Sequence, residues 1–161
     1  MSQASPTSLP IDGATFRLGI AAARFNAALV DALLADVQAA LRAAGVREKN
    51  LVVVRVPGSH EVPWAVQQLA ARPRVDAVIA LGVLVGGDTN HHDLVGRSVS
   101  QALQRVTLDS GVPVINGVVV TDTLAQARAR CVGRRARGRE FAHAALEVGA
   151  LKRRLAGGKK S

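Results

Sequence analysis

The residues able to do chemistry gather in one stretch, Ala80 to Val95, which reads ALGVLVGGDTNHHDLV. An apolar run ends at Gly86-Gly87, a polar segment with two histidines follows, and a helical pattern then begins. A histidine at a helix start feels the positive end of the helix dipole. That disfavours imidazolium, so a neutral ring can accept a proton near pH 7. His91 is therefore the candidate acid/base, weighed against a plain capping or surface role. Just ahead of it, Gly87, Asp88 and Thr89 can hold a phosphate on backbone amides, where glycine lets the chain approach a ligand closely. The Asp88 carboxylate opposes that charge and must be offset. Arg128 and Arg130, on a later short helix, can each supply the cation. His92 lies about 100° further round the helix than His91 and is expected to pack at an interface.

Two other polar groups follow apolar runs: Phe25-Asn26, and Ser59-His60-Glu61. In a parallel sheet all strands end at one edge, so the three groups should converge on a single crevice. Each alone is weak, since Asn26 is a ready helix cap and Glu61 simply complements a helix dipole.

Positioning these groups requires strands alternating with helices, and the pattern supplies them. Residues 14–23, 50–56, 75–81 and 112–120 read as strands, the second continuous enough to be buried on both faces. A helix over 27–44 carries Leu29, Leu33, Val37 and Leu41 at a spacing of four, with Gly45 placed as its C-cap glycine. Further helices are predicted over 61–72, 91–109 (Val95, Val99, Leu103 and Val106 on one side, Gly111 ending it) and 138–155. The last has the stripe Phe141, Ala144, Val148, Leu151, Leu155. Asp122 or Thr123 can cap a short helix reaching Cys131. The alternation implies right-handed βαβ units, hence an α/β three-layer sandwich: a four-stranded parallel sheet with helices on both faces.

The 161 residues suit one domain, read as a flexible leader over 1–13, a body over 14–155 and a basic tail over 156–161. One cysteine excludes an internal disulfide and suits the cytoplasm. Cys131 is expected to be a small buried hydrophobe. No apolar run reaches the ~18 residues of a membrane span, and the N-terminus lacks a signal-peptide pattern. Residues 1–127 carry ten Lys/Arg against ten Asp/Glu; residues 128–161 carry eleven against two. The whole net charge of +9 thus falls in the last fifth. A solvated helix face with a loose tail explains it better than a nucleic-acid role, because no aromatics interleave with the arginines for base stacking.

Five ordered motifs, RFN at Arg24–Asn26, VPGSHEVP at Val56–Pro63, the Ala80–Val95 stretch, PVINGVVVTDT at Pro113–Thr123 and GREFAHAALE at Gly138–Glu147, resemble the lumazine synthase family over residues 15–155. The resemblance implies a flavodoxin-like fold. It also implies condensation of 5-amino-6-ribitylaminouracil with 3,4-dihydroxy-2-butanone 4-phosphate, without metal or redox cofactor, in the penultimate step of riboflavin synthesis. It implies that Phe25 stacks on the pyrimidine. Asn26, Ser59, His60, Glu61, the Val83-Leu84-Val85 backbone and Asn116 would complete the substrate site. Gly87, Asp88 and Thr89 would hold the phosphate with Arg130 of a neighbouring subunit, and His91 would be the catalytic histidine. Sites between the subunits of a homopentamer are implied; many family members build a hollow shell from twelve pentamers. Riboflavin synthase is a further candidate partner, whereas membrane and nucleic acid are not expected partners.

The chain departs from the family where Arg is usual at Gly86, Phe at His60, Tyr or Phe at His92 and often Phe at Asn116. The usual Asn-Lys-Gly before the last helix reads Ala136-Arg137-Gly138, with Arg137 keeping the positive charge. These departures motivate an alternative, a non-catalytic relative that binds flavin or lumazine or serves as a shell. A basic nucleic-acid-binding module is the third reading, distinguished by salt-dependent retention on DNA.

Overall fold

The computed structural model describes residues 7, 9–133 and 136–157. The expected leader over 1–13 and tail over 156–161 fall largely outside that set. In order the elements are β1 (Leu18–Ala23), α1 (Ala27–Ala43), β2 (Leu51–Val56), α2 (Val62–Ala70), β3 (Ala77–Val85), α3 (His91–Ser110), β4 (Val114–Thr121), α4 (Leu124–Cys131) and α5 (Gly138–Gly157). Single 3-10 turns over Glu48–Asn50 and Ser59–Glu61 lead into β2 and α2. The four strands form one parallel sheet in the order β2-β1-β3-β4. This is the flavodoxin-like α/β arrangement. The chain leaves β1 toward β2 and leaves β3 toward β4, so the order reverses between β1 and β3. Ligand crevices open at such a switch point, beyond the carboxyl ends of the strands.

The sheet is covered on both faces. Leu29, Val30, Leu33, Val37 and Leu41 of α1, with Ala127 and Cys131 of α4 and Phe141, Ala142, Ala145 and Leu146 of α5, close one core. Val62, Ala65, Val66 and Leu69 of α2, with Val99 and Leu103 of α3, close the other. The α1 stripe is as expected. Gly45 (φ +89°) and Gly111 (φ +68°) turn the chain out of α1 and α3 in the left-handed region that glycine tolerates best.

Two expectations need correction. β2 lies at the sheet edge, so Leu51–Val54 are only half-buried, where burial on both faces was expected. On α5, Leu151 and Leu155 are exposed, and Gly138, Phe141, Ala142, Ala145, Leu146 and Gly149 form the buried face instead. Small residues let this helix come close. A Cβ on Gly138 would stand 2.7 Å from Asp36 Cβ and 2.9 Å from Leu33 O, on α1. β3 also runs four residues past the predicted end, to Val85.

The far end of α5 is tied to the strand starts. Arg153 donates to Asp76 through Nε and Nη2, both at 2.7 Å, and lies 4.0 Å from the Phe16 ring centroid. The hydrogen bonds to Asp76 hold the Arg153 pKa above its ordinary value.

Cys131 is buried as expected, and burial pushes its thiol up to about 11, against a smaller opposing effect of Arg130. Only ~10⁻³ of it is thiolate at pH 8, and the thiolate is the reactive form. The folded protein should resist iodoacetamide at pH 8 and become fully labelled in guanidinium, read as a mass shift. Rapid labelling of the folded chain would contradict this burial.

Candidate functional site

Three loops meet at the carboxyl end of the sheet. After β1, Arg24 N donates to Val56 O (2.8 Å) and Phe25 N to Pro57 O (3.0 Å), so the β1–α1 turn is laced to the end of β2. Phe25 then projects into solvent, 74% exposed, with no packing partner that would give it a core role. Asn26 precedes α1 but makes no side-chain cap, contrary to expectation. It adopts the left-handed conformation (φ 55°, ψ 44°), and its Nδ2 donates to Val83 O at 2.8 Å. The asparagine therefore spans the switch point and fixes the β1 turn against β3.

That bond has a local reason. The β1–β3 register ends at Ala22↔Leu81, while β3 stays paired with β4 as far as Val85↔Thr121. Gly82–Val85 thus have no strand on the β1 side, and their backbone faces the crevice. Asn26 takes one carbonyl there. Asn26→Asp keeps the left-handed tolerance but sets a carboxylate against that carbonyl. It should cost about 1–3 kcal/mol, read from urea midpoints at unchanged m-value. No change in midpoint would show the bond to be unimportant.

The Ser59–Glu61 turn packs beside β3. Glu61 Oε2 accepts from Gly58 N at 2.8 Å, which closes the turn and leaves the carboxylate half-exposed. His60 is exposed, with Nδ1 4.0 Å from Glu61 Oε1. The Ser59 hydroxyl is buried and has no hydrogen-bond partner among the described residues, lodged where Gly82 lacks a side chain: a Cβ there would be 2.5 Å from it. Ser59 therefore keeps its hydroxyl out of solvent and acts here as packing.

After β3 the chain turns through Gly86–Asn90 into α3. Gly86 N donates to Thr121 O (2.8 Å), and a Cβ on Gly86 would lie 2.5 Å from Asp122 O. The β4–α4 turn thus occupies the space that any side chain at this position would need. Gly87 has nothing within 4 Å of its absent side chain, so its backbone is open to a ligand. Asp88, Thr89, Asn90 and His91 are exposed along the same rim, with His91 the first residue of α3.

His92 differs from expectation. Its side chain is only 12% exposed and is covered within the chain itself, rather than left for a partner surface. Nε2 sits 3.7 Å from Asp122 Oδ1 and 3.9 Å from Asp93 Oδ1, and neither ring nitrogen has a hydrogen-bond partner among the described residues. The sequence reading missed this meeting of α3 with the β4–α4 turn; the only signal was an acidic residue after a strand.

Two candidates do not join the crevice of their own chain. Asn116 lies mid-strand on the open edge of β4, paired with Ala80, and its Nδ2 donates to Ser100 Oγ at 3.3 Å. Arg130 lies in the last turn of α4, on the α1 side of the sheet, whereas His91 begins α3 on the other side. Its Nη1 donates to Gln126 O at 3.3 Å. Thr123, rather than Asp122, caps α4, with Gln126 N donating to its hydroxyl at 3.2 Å. Arg137, just before α5, holds Glu140 by two bonds of 3.0 and 2.7 Å, which depresses the Glu140 carboxyl pKa. No cluster of three His, Cys, Asp or Glu suits a metal among the described residues.

The crevice is thus lined by Phe25, Asn26, the Gly82–Val85 backbone, Glu61 and the Gly87–His91 rim. Its open backbone edge suits a flat polar heterocycle, and its helix start suits an anion beside a proton-transfer group. The profile of the 6,7-dimethyl-8-ribityllumazine synthase family matches residues 15–153. The chain belongs to this family. A 6,7-dimethyl-8-ribityllumazine synthase of Polaromonas sp. (strain JS666) is 41% identical over 146 residues, 91% of this chain and 93% of the relative. The protein of that name from Paracidovorax citrulli is 42% identical, covering 88% and 90%. That of Halorhodospira halophila is 43% identical, covering 86% and 90%. In this lumazine synthase family member, His91, Thr89 and Phe25 stand on the loops that border the switch-point crevice.

Proposed function

We propose that this protein condenses 5-amino-6-(D-ribitylamino)uracil with 3,4-dihydroxy-2-butanone 4-phosphate. The products are 6,7-dimethyl-8-ribityllumazine, phosphate and water, in the penultimate step of riboflavin biosynthesis. The observation that carries it is the family match over residues 15–153, with the His91-bearing stretch at the sheet's switch point. The amine of one substrate and the ketone of the other form an imine with loss of a first water; phosphate leaves, and closure of the ring releases a second water.

Each group has a part in this reading. Phe25, already in solvent, stacks on the pyrimidine. Asn26, Glu61, His60, the Ser59 backbone and the Val83–Val85 backbone hold its polar edge and ribityl chain. Gly87, Asp88 and Thr89 bind the phosphate, and His91 moves protons between imine, enol and leaving group. Bringing two substrates together supplies much of the rate. The chain needs no resident cofactor for these steps.

Asn116 and Arg130 serve a neighbouring subunit's site in this reading. Asn116 is exposed and Arg130 half-buried, and neither joins the crevice of its own chain, which supports a homo-oligomer with sites between subunits, a pentamer able to build a larger shell. Riboflavin synthase, which consumes the product, is the partner such a shell would hold. A cytoplasmic location fits the lone buried cysteine, and among the described residues no helix is long and apolar enough to cross a membrane. No observation favours the non-catalytic alternative. Product formation from the two substrates tests the reading.

A further inference from the structure

The opposite edge of the sheet, where the strands begin, holds a second concavity of about 410 Å³. Thr15, Arg17, Arg74, Asp76, Lys152 and Arg153 line it. Nothing in the proposed chemistry uses it. β3 alone spans nine residues, which sets this pocket roughly 30 Å from the His91 rim.

Its charges do not cancel. Asp76, the single acid, is saturated: Oδ2 accepts from Arg17 N (2.8 Å) and Arg153 Nη2 (2.7 Å), and Oδ1 from Arg153 Nε (2.7 Å). Arg153 is equally committed. It also donates to Thr15 Oγ1 and Thr15 O, each at 2.9 Å, and stacks on Phe16. This pair is the rigid wall of the pocket. Lys152 Nζ donates one hydrogen bond to Val75 O (2.6 Å) and keeps two N–H donors. The Arg17 and Arg74 side chains make no ion pair among the described residues. Three cations therefore face one cavity uncompensated.

Arg74 adds a second observation. Its φ is +61°, a left-handed conformation rare for a long side chain. Glycine or asparagine would be at ease there. Strain of this kind is retained where a local requirement outweighs it, and Arg74 lines the pocket in this conformation. Two arginine forks and an ammonium suit the several oxygens of a phosphoryl group better than one carboxylate.

We propose that the Arg17–Arg74–Lys152 pocket is a phosphate-binding site distinct from the substrate crevice. Its ligand is a phosphoryl oxyanion, either free or within a phosphodiester chain. The site binds by charge and forked donors, so its affinity falls with salt.

The test is equilibrium dialysis of the full chain against radiolabelled inorganic phosphate, with a labelled single-stranded oligoribonucleotide as the second arm. Wild type is compared with Arg17→Ala/Arg74→Gly/Lys152→Ala and with Arg74→Gly alone, which removes one guanidinium while relaxing the backbone. A Gly87→Asp/Thr89→Asp variant, which sets two carboxylates in the crevice's phosphate cradle, is dialysed alongside to report binding outside the crevice. The expected result is at least a tenfold loss of affinity in the triple variant, a smaller loss in Arg74→Gly, and unchanged turnover in both. Loss in the phosphate arm assigns a free phosphate ligand; loss in the oligonucleotide arm alone assigns a phosphodiester. Equal binding of both ligands to wild type and Arg74→Gly, or no binding by the Gly87→Asp/Thr89→Asp variant, would overturn the proposal.

Discussion

Replacing His91 by alanine is expected to lower kcat by about 10²-fold, the lower end of the range for losing a general acid/base. The lower end applies because the variant still positions both substrates, which is itself a large share of the acceleration. The change should act on chemistry and not on the fold. His91 is exposed at the first position of α3 and makes no side-chain hydrogen bond among the described residues, and surface changes of this kind usually stay within about 0.5 kcal/mol. The KM for butanone phosphate should rise little, because Gly87–Thr89 remain. The pH dependence of kcat should flatten on the limb set by imidazole. Steady-state kinetics on both proteins reads all three. A variant with full kcat and an unaltered pH profile would remove His91 from the chemistry.

The largest effect on stability is expected from Gly117→Ala. Gly117 sits in β4 opposite Leu81, beneath α5. A Cβ there would lie 2.6 Å from Ala80 O, 2.8 Å from Leu81 Cδ2 and 3.0 Å from Phe141 Cδ2. The first contact is with backbone in the central sheet and cannot be relieved by a rotamer change. Overpacking typically costs 1–3 kcal/mol, occasionally more, and this site belongs at about 3. For a chain of this length that is a fall of roughly 6–12 °C in Tm. Chemical denaturation should show a lower midpoint at an unchanged m-value. A loss below about 0.5 kcal/mol would mean that β4 and α5 can part freely.

Much of the fold was legible because large aliphatic residues recur at the period of their element. Leu29, Leu33, Val37 and Leu41 point one way on any helix, and all four are buried. The failure on α5 has the opposite cause. Its contact face is built from Gly138, Ala142, Ala145 and Gly149 around Phe141 and Leu146. Small residues that permit close approach carry no hydrophobic signal, so Leu151 and Leu155 looked like the stripe. Edge against centre was equally hidden in β2, since VVV suits either place and only the strand order decides.

The site was legible in part for a similar reason. A parallel sheet gathers the loops after its strands, so Phe25-Asn26, Ser59–Glu61 and Gly87–His91 could be brought together from sequence alone. Side-chain direction could not. Asn26 is written like a helix cap, yet it bonds across to Val83 O because β3 overruns β1. His92 is polar and next to His91, yet it is buried against Asp122. Gly86 and Gly87 read alike as a turn, yet the Asp122 backbone occupies the side of Gly86 while that of Gly87 is open. Each depends on the relative length and placement of elements far apart in the chain.

The most direct test of the central claim is formation of 6,7-dimethyl-8-ribityllumazine from the two purified substrates by the full-length protein. The product is followed by absorbance and checked by mass, with phosphate release measured in the same reaction. The expected result is saturable turnover in both substrates, one phosphate per lumazine, at a rate well above the uncatalysed condensation. Lumazine formed no faster than in buffer by well-folded protein would contradict the account, and would leave this crevice a binding site without its chemistry.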